Sequence, residues 1–97
     1  MLTTGQRIKI VRQELKMSQE QFGQIFNAGK SYISAVENDK SKLSVEHLVK
    51  LLVNYNVNIN YILGEVGGVF NASEFEDVKS EVLEEVNKVL ARYGFKN

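Results

Sequence analysis

The sequence predicts an all-α protein, with five short helices in its first 65 residues and one longer helix near its C-terminus. Three observations favour this fold. Proline, which breaks helices, is absent from the 97 residues. Apolar residues recur at the i, i+3, i+4 and i+7 positions that form one face of a helix, and no stretch shows the strict apolar–polar alternation of a strand.

The first two helices follow from apolar spacing and from one capping motif. Helix 1 is predicted from about Thr4 to Leu15, with Ile8, Val11 and Leu15 facing inward. Helix 2 begins directly after Ser18, because Ser18 and Gln21 stand at the two positions of a capping box, in which each side chain binds the other residue's backbone N–H.

Helices 2 and 3 form a pair joined by a short turn. Helix 2 ends at Phe26, residues 27–29 form the turn, and helix 3 covers about residues 30–37. Asn27 suits the turn because Asn tolerates a positive φ angle, and Gly23 lets the two helices cross closely. Such pairs occur in ordinary small bundles and also in helix-turn-helix proteins, where the second helix enters the major groove of DNA.

Two further helices complete the predicted domain, which covers residues 1–65. Ser44 can cap helix 4, which ends near Asn56, and Asn58 can cap a short helix 5 that stops at Gly64. Their inward-facing residues are Leu48, Leu51, Leu52 and Tyr55 in helix 4 and Ile59, Ile62 and Leu63 in helix 5.

The remaining residues are predicted to form a linker over 66–72 and a C-terminal helix within 73–97. Ser73 and Glu76 make another capping box, and the helix runs to about Tyr93. Its apolar stripe needs a partner surface, either a second subunit or helices 1 and 5 of its own domain. We predict a homodimer, with the stripe as its interface: Phe75, Val78, Val82, Val86 and Val89.

Composition excludes several classes of protein. There is no Cys, and His47 is the single histidine, so neither a thiolate nor a paired-histidine metal site can form. No phosphate-binding loop, dinucleotide fingerprint or nucleophile–base pair is present, so we expect no enzyme and no cofactor. No apolar run approaches the roughly 18 residues of a membrane span, and no signal peptide is seen, so the expected location is the cytoplasm.

Charge is distributed unevenly along a chain whose net charge is zero. Residues 1–43 hold seven basic and four acidic side chains, whereas residues 66–97 hold four basic and six acidic ones. A mildly basic N-terminal part and an acidic C-terminal part are typical of a DNA-binding module that is followed by a segment with another role.

The residues from Gln19 to Asn38, which include Gly23, Asn27, Ile33 and Val36, resemble the Cro and phage-repressor (XRE) family of helix-turn-helix regulators. This resemblance implies that helix 3 reads bases while neighbouring residues hold the DNA backbone. The implied base-reading positions are Lys30, Ser31, Ser34 and Ala35, and Tyr32 lies beside them as a further DNA-binding residue, within reach of a phosphate or a base. The implied backbone contacts are Gln19, Asn38 and Lys40.

The resemblance also implies an ion pair between Arg12 of helix 1 and Glu37 at the end of helix 3, which would orient helix 3 without touching bases. Two residues depart from the family pattern. Gly29 stands where a capping Ser or Thr is usual, and Asp39 stands where Gly is common. Asp39 also introduces an anion near the expected DNA surface.

The expected function is that of a sequence-specific transcriptional regulator, a repressor, bound to a palindromic double-stranded operator. Two alternatives remain open. The chain can be an antitoxin that binds DNA through the same domain and a toxin through its C-terminal helix. It can also be a protein-interaction domain without DNA binding, although Gln19, Lys30 and Ser31 on one face argue against that.

Overall fold

The computed structural model describes residues 1–72 and 78–93, and these residues form the predicted all-α fold. The single β pairing described among them is an isolated antiparallel bridge between Val57 and Phe70. The helices are α1 (Thr4–Glu14), α2 (Gln19–Ile25), α3 (Lys30–Glu37), α4 (Val45–Tyr55), α5 (Ile59–Gly64) and α6 (Val78–Arg92).

The predicted helix starts at Ser18, Ser44 and Asn58 are confirmed, since each of these side chains accepts a backbone N–H from the first turn of its own helix. A capping box that the sequence analysis did not identify begins α1. The Thr3 hydroxyl accepts the N–H of Gln6 at 3.1 Å, and the Gln6 side chain accepts the N–H of Thr3 at 2.8 Å.

The α2–α3 pair has the close crossing that the sequence predicts. A Cβ atom on Gly23 would lie 2.7 Å from the carbonyl oxygen of Ala28 and 3.3 Å from Cγ1 of Ile33, so a larger residue would force the helices apart. Asn27 takes a left-handed backbone conformation, with φ 55°. The turn therefore depends on small or permissive residues at both of these places.

One buried cluster joins the first five helices. Ile33 and Val36 of α3 lie in it with 0% and 1% of their surface exposed, and burial of such side chains is the main favourable term in folding. The remaining members of the cluster are Ile8, Val11, Phe22, Phe26, Leu51, Val57 and Ile62.

The prediction for helix 5 is wrong in one detail. Leu63 does not face the core but is 59% exposed, whereas Ile62 is fully buried. The helix has six residues and packs on α1, and a step of one residue turns a side chain by 100°, which carries Leu63 outward. The helix ends at Gly64 as predicted, and the left-handed residue that follows it is Glu65, with φ 55°.

Residues 66–72 fold back on the connection between α4 and α5. The N–H of Asn58 donates to the carbonyl of Val69 at 2.8 Å, and the N–H of Asn71 donates to the carbonyl of Asn56 at 3.0 Å. Nδ2 of the Asn56 side chain also donates a hydrogen bond to the Asn71 carbonyl at 2.7 Å. The segment predicted as a linker is thus attached by backbone hydrogen bonds.

Helix α6 makes its principal contact with α4, not with the helices α1 and α5 that the folded-back alternative named. Val86 is 5% exposed within the single chain, and Val89 is half-buried. Other predicted features of this helix lie outside the described residues: the capping box of Ser73 and Glu76, Phe75, and the side chains of Val78 and Val82.

Candidate nucleic-acid interface

Helix α3 has one buried face and one polar face. Ile33 and Val36 anchor the buried face in the core. The N-cap residue of the helix is Gly29, which has no side chain to accept a hydrogen bond from the first turn, as expected from the absence of Ser or Thr at this position. The predicted base-reading residues lie on the other face, the first two exposed and the last two half-buried: Lys30, Ser31, Ser34 and Ala35.

Arg12 and Glu37 form the ion pair that the resemblance implies. Nε of Arg12 lies 2.6 Å from Oε2 of Glu37, and Nη2 lies 3.2 Å from Oε1, so the contact is bidentate. The Arg12 side chain is 13% exposed and that of Glu37 is 3% exposed. The pair therefore fixes the last turn of α3 against α1 at a site that is nearly closed to water.

Gln19, an implied backbone contact, belongs to the same network. Its Nε2 donates to Oε1 of Glu37 at 3.0 Å, and Arg12 Nη1 donates to the carbonyl of Met17 at 2.9 Å. The start of α2 and the end of α3 are thus tied to one another through Glu37. An amide nitrogen carries two hydrogens, so Gln19 can keep this bond and still donate to a phosphate.

The C-terminal end of α3 is closed by a Schellman motif. The N–H of Lys40 donates to the carbonyl of Ala35 at 2.8 Å, and that of Asp39 donates to the carbonyl of Val36 at 3.1 Å. Asp39 occupies the left-handed position of the motif, with φ 61°, where Gly is usual. This geometry explains why the family often has Gly here, and it places Asn38 and Lys40 on the exposed turn.

Tyr32 supports the loop after α3. Its hydroxyl donates to the carbonyl of Lys42 at 2.7 Å, and its ring lies 6.0 Å from that of His47, which itself lies 4.7 Å from Phe26. Burial, with a smaller effect of the Lys50 charge, lowers the pKa of His47. In this structure Tyr32 thus braces the loop, a role that the sequence analysis did not foresee.

No group of three or more His, Asp or Glu side chains within residues 1–72 and 78–93 is arranged to hold a metal ion. None of the helices that the structure describes is both long enough and apolar enough to cross a membrane.

A helix surface that is polar, backed by a buried ion pair and flanked by exposed lysines is the arrangement expected of a DNA-reading helix-turn-helix. The family model described as Helix-turn-helix matches residues 8–62 of the chain. The chain belongs to this helix-turn-helix family. Membership confirms the resemblance to Cro and phage-repressor regulators and agrees with a DNA-binding regulator that is not an enzyme.

One relative of this helix-turn-helix protein is the immunity repressor protein of Bacillus phage phi105. The two are 29% identical, and the similarity covers 94% of this chain and 67% of the relative. It therefore extends past the matched family region. No solved structure gave a significant match to the chain.

Proposed function

We propose that this helix-turn-helix protein is a sequence-specific transcriptional repressor, which reads double-stranded DNA by placing α3 in the major groove. The observation that carries the proposal is the polar face of α3, held outward by the burial of Ile33 and Val36. The similarity to a phage immunity repressor supports repression as the direction of control. Such a repressor acts in the cytoplasm, where its bacterial or phage operator lies.

The side chains on the polar face suit direct readout of base edges. Lys30 can donate to O6 and N7 of a guanine, and the hydroxyls of Ser31 and Ser34 can donate or accept. Ala35 offers a methyl group that fits against the methyl of a thymine. The face therefore has the chemistry to distinguish base pairs at several adjacent positions.

Phosphate contacts position the helix without reading sequence. Gln19 lies at the start of α2, and Asn38 and Lys40 lie on the turn after α3, so together they bracket the reading face. Nδ2 of Asn38 donates to the carbonyl of Ser34 at 2.8 Å, which fixes the orientation of its amide. We assign these three residues to the DNA backbone.

We expect Lys30→Ala to weaken binding to a selected operator by about 1–3 kcal/mol and to relax the preference at one base position. The measurement is a titration of labelled duplexes that carry each base substitution. Lys88→Ala is the matched control, because it removes the same charge from an exposed position on α6. Equal affinity and unchanged base preference for Lys30→Ala would contradict the assignment of this residue.

We also propose that two copies bind a palindromic operator, because one α3 offers few base contacts and paired half-sites lie about one helical turn apart. The proposed interface remains the α6 stripe. Val86 is already covered within the single chain, so a dimer that uses this stripe has to exchange α6 between copies or detach it from α4. A contribution from exposed apolar residues, Leu63, Val66 and Tyr93, agrees with such an assembly.

Sedimentation at micromolar concentration measures this directly, and we expect the mass of a dimer. If the unmutated protein sediments as a monomer and still binds its selected operator with normal affinity, the dimer is ruled out.

A further inference from the structure

The turn that follows α3 is attached to the N-terminus of α1 by a side chain. Oδ1 of Asp39 accepts the backbone N–H of Gly5 at 2.8 Å, across 34 positions of sequence. The Thr3 side chain also lies near this carboxylate and favours its ionised form. Asp39 therefore caps α1 from a distant part of the chain and connects the first helix to the end of the reading helix.

The two backbone segments meet closely at this point. A Cβ on Gly5 would lie 2.5 Å from the carbonyl oxygen of Val36 and 2.7 Å from that of Glu37. No residue larger than Gly fits there without a shift of the backbone. The first turn of α1 thus lies directly on the last turn of α3, and the hydrogen bond from Gly5 to the Asp39 carboxylate joins the two helices.

The charge of Asp39 is matched by its surroundings. The Thr3 side chain, the hydrogen bond from the Gly5 N–H and the nearby Arg7 charge hold the pKa of Asp39 below its ordinary value. The carboxylate is accordingly ionised at neutral pH. It lies at the N-terminus of α1, where the helix dipole favours an anion.

Backbone geometry alone does not call for Asp at this position. The left-handed conformation of residue 39, with φ 61°, is adopted by Gly without the steric cost that any L side chain incurs. A glycine would satisfy the Schellman motif equally well. What Asp adds is the bond to α1, and that bond holds the turn that carries Asn38 and Lys40.

We infer that Asp39 is a positioning residue for DNA binding, which fixes the turn after α3 against α1 so that Asn38 and Lys40 meet the phosphates. This inference rests on the proposed reading of DNA by α3. Its consequence runs against simple electrostatics: removing this anion, which lies beside a polyanionic ligand, weakens DNA binding.

The test compares Asp39→Gly and Asp39→Asn with the unmutated protein. Gly keeps the left-handed turn and loses the bond, whereas Asn tolerates the same backbone and retains an oxygen that can accept from Gly5. Glu65→Gly is the control for removal of an acid at a positive φ, here 55°, at the end of α5; it also removes the 3.9 Å contact of Glu65 with Arg7 and leaves the bond of Asp39 to Gly5 in place. Affinity for a selected operator is titrated over a range of salt concentrations, at a temperature where circular dichroism shows every variant folded.

We expect Asp39→Gly to bind about 3- to 10-fold more weakly and to reduce the slope of log affinity against log salt by about one, the loss of one phosphate contact. Its base preferences should not change. Asp39→Asn should restore the slope and most of the affinity, and Glu65→Gly should bind no more weakly than the unmutated protein. These results would separate the positioning of a phosphate contact from a simple loss of stability.

A folded Asp39→Gly protein with the unmutated affinity and slope would overturn the inference, and so would tighter binding, which would mean that the acid merely repels phosphate. Lys30→Ala is measured in the same series to test the proposed function separately. If the unmutated protein selects no operator, or if Lys30→Ala changes nothing, the reading by α3 fails and this inference fails with it.

Discussion

Glu37→Ala is expected to lower the free energy of unfolding by about 3–5 kcal/mol, the range for breaking a buried ion pair. The substitution leaves the Arg12 guanidinium, whose side chain is 13% exposed, without its carboxylate. It also removes the acceptor of the Gln19 amide. Chemical denaturation monitored by circular dichroism gives the change, and Glu20→Ala, an exposed acid on α2, is the control.

A double-mutant cycle then separates the pair from its two members. Arg12→Ala should also destabilise the protein, because it strands Glu37, whose side chain is 3% exposed. Once one partner has gone, loss of the other costs much less, so the double variant should be more stable than the sum of the single changes implies. Strictly additive changes would show that the contact carries no coupling energy.

Val86→Glu is expected to lower the free energy of unfolding by about 2–3 kcal/mol, because a buried apolar side chain is replaced by a polar one with no partner. Val86 is 5% exposed in the single chain, and α6 packs on α4. The cost is limited by the docking energy of α6, since this helix can detach while the first five helices stay folded. Asn87→Glu places the same group at an exposed neighbouring position and should have little effect.

Hydrogen exchange locates the damage from Val86→Glu, with early loss of amide protection expected in α6. Because the proposed dimer uses the same stripe, Val86→Glu should also sediment with the mass of a monomer. A variant that keeps both its stability and the mass of a dimer would contradict the burial of Val86.

The parts of this structure that sequence alone predicts are those with local causes. The caps at Ser18 and Ser44 act within one helical turn, so the residues at each helix start are enough to predict them. The small residue at Gly23 and the left-handed Asn27 follow from a turn that has few geometrical solutions. Ile33 and Val36 are buried as predicted, because their spacing selects one face of a short helix.

Features that depend on distant parts of the chain were missed. Leu63 has the residue type and approximate spacing of a core position. The buried face of α5 carries Ile62, however, and Leu63 remains exposed. Tyr32 forms its hydrogen bond with a loop residue ten positions away. Asp39 looks like a mismatch in sequence because its partner is the first turn of α1. In each case tertiary packing decides the outcome, and no local pattern encodes it.

Selection of binding sites from random duplex DNA, at a stated salt concentration, tests the central claim that α3 reads sequence. The unmutated protein should enrich one motif, composed of two inverted half-sites. Lys30→Ala should enrich a motif that has lost its preference at one base position of each half-site and keeps the others. Failure of the unmutated protein to enrich any motif, or an identical motif from the variant, would contradict the account.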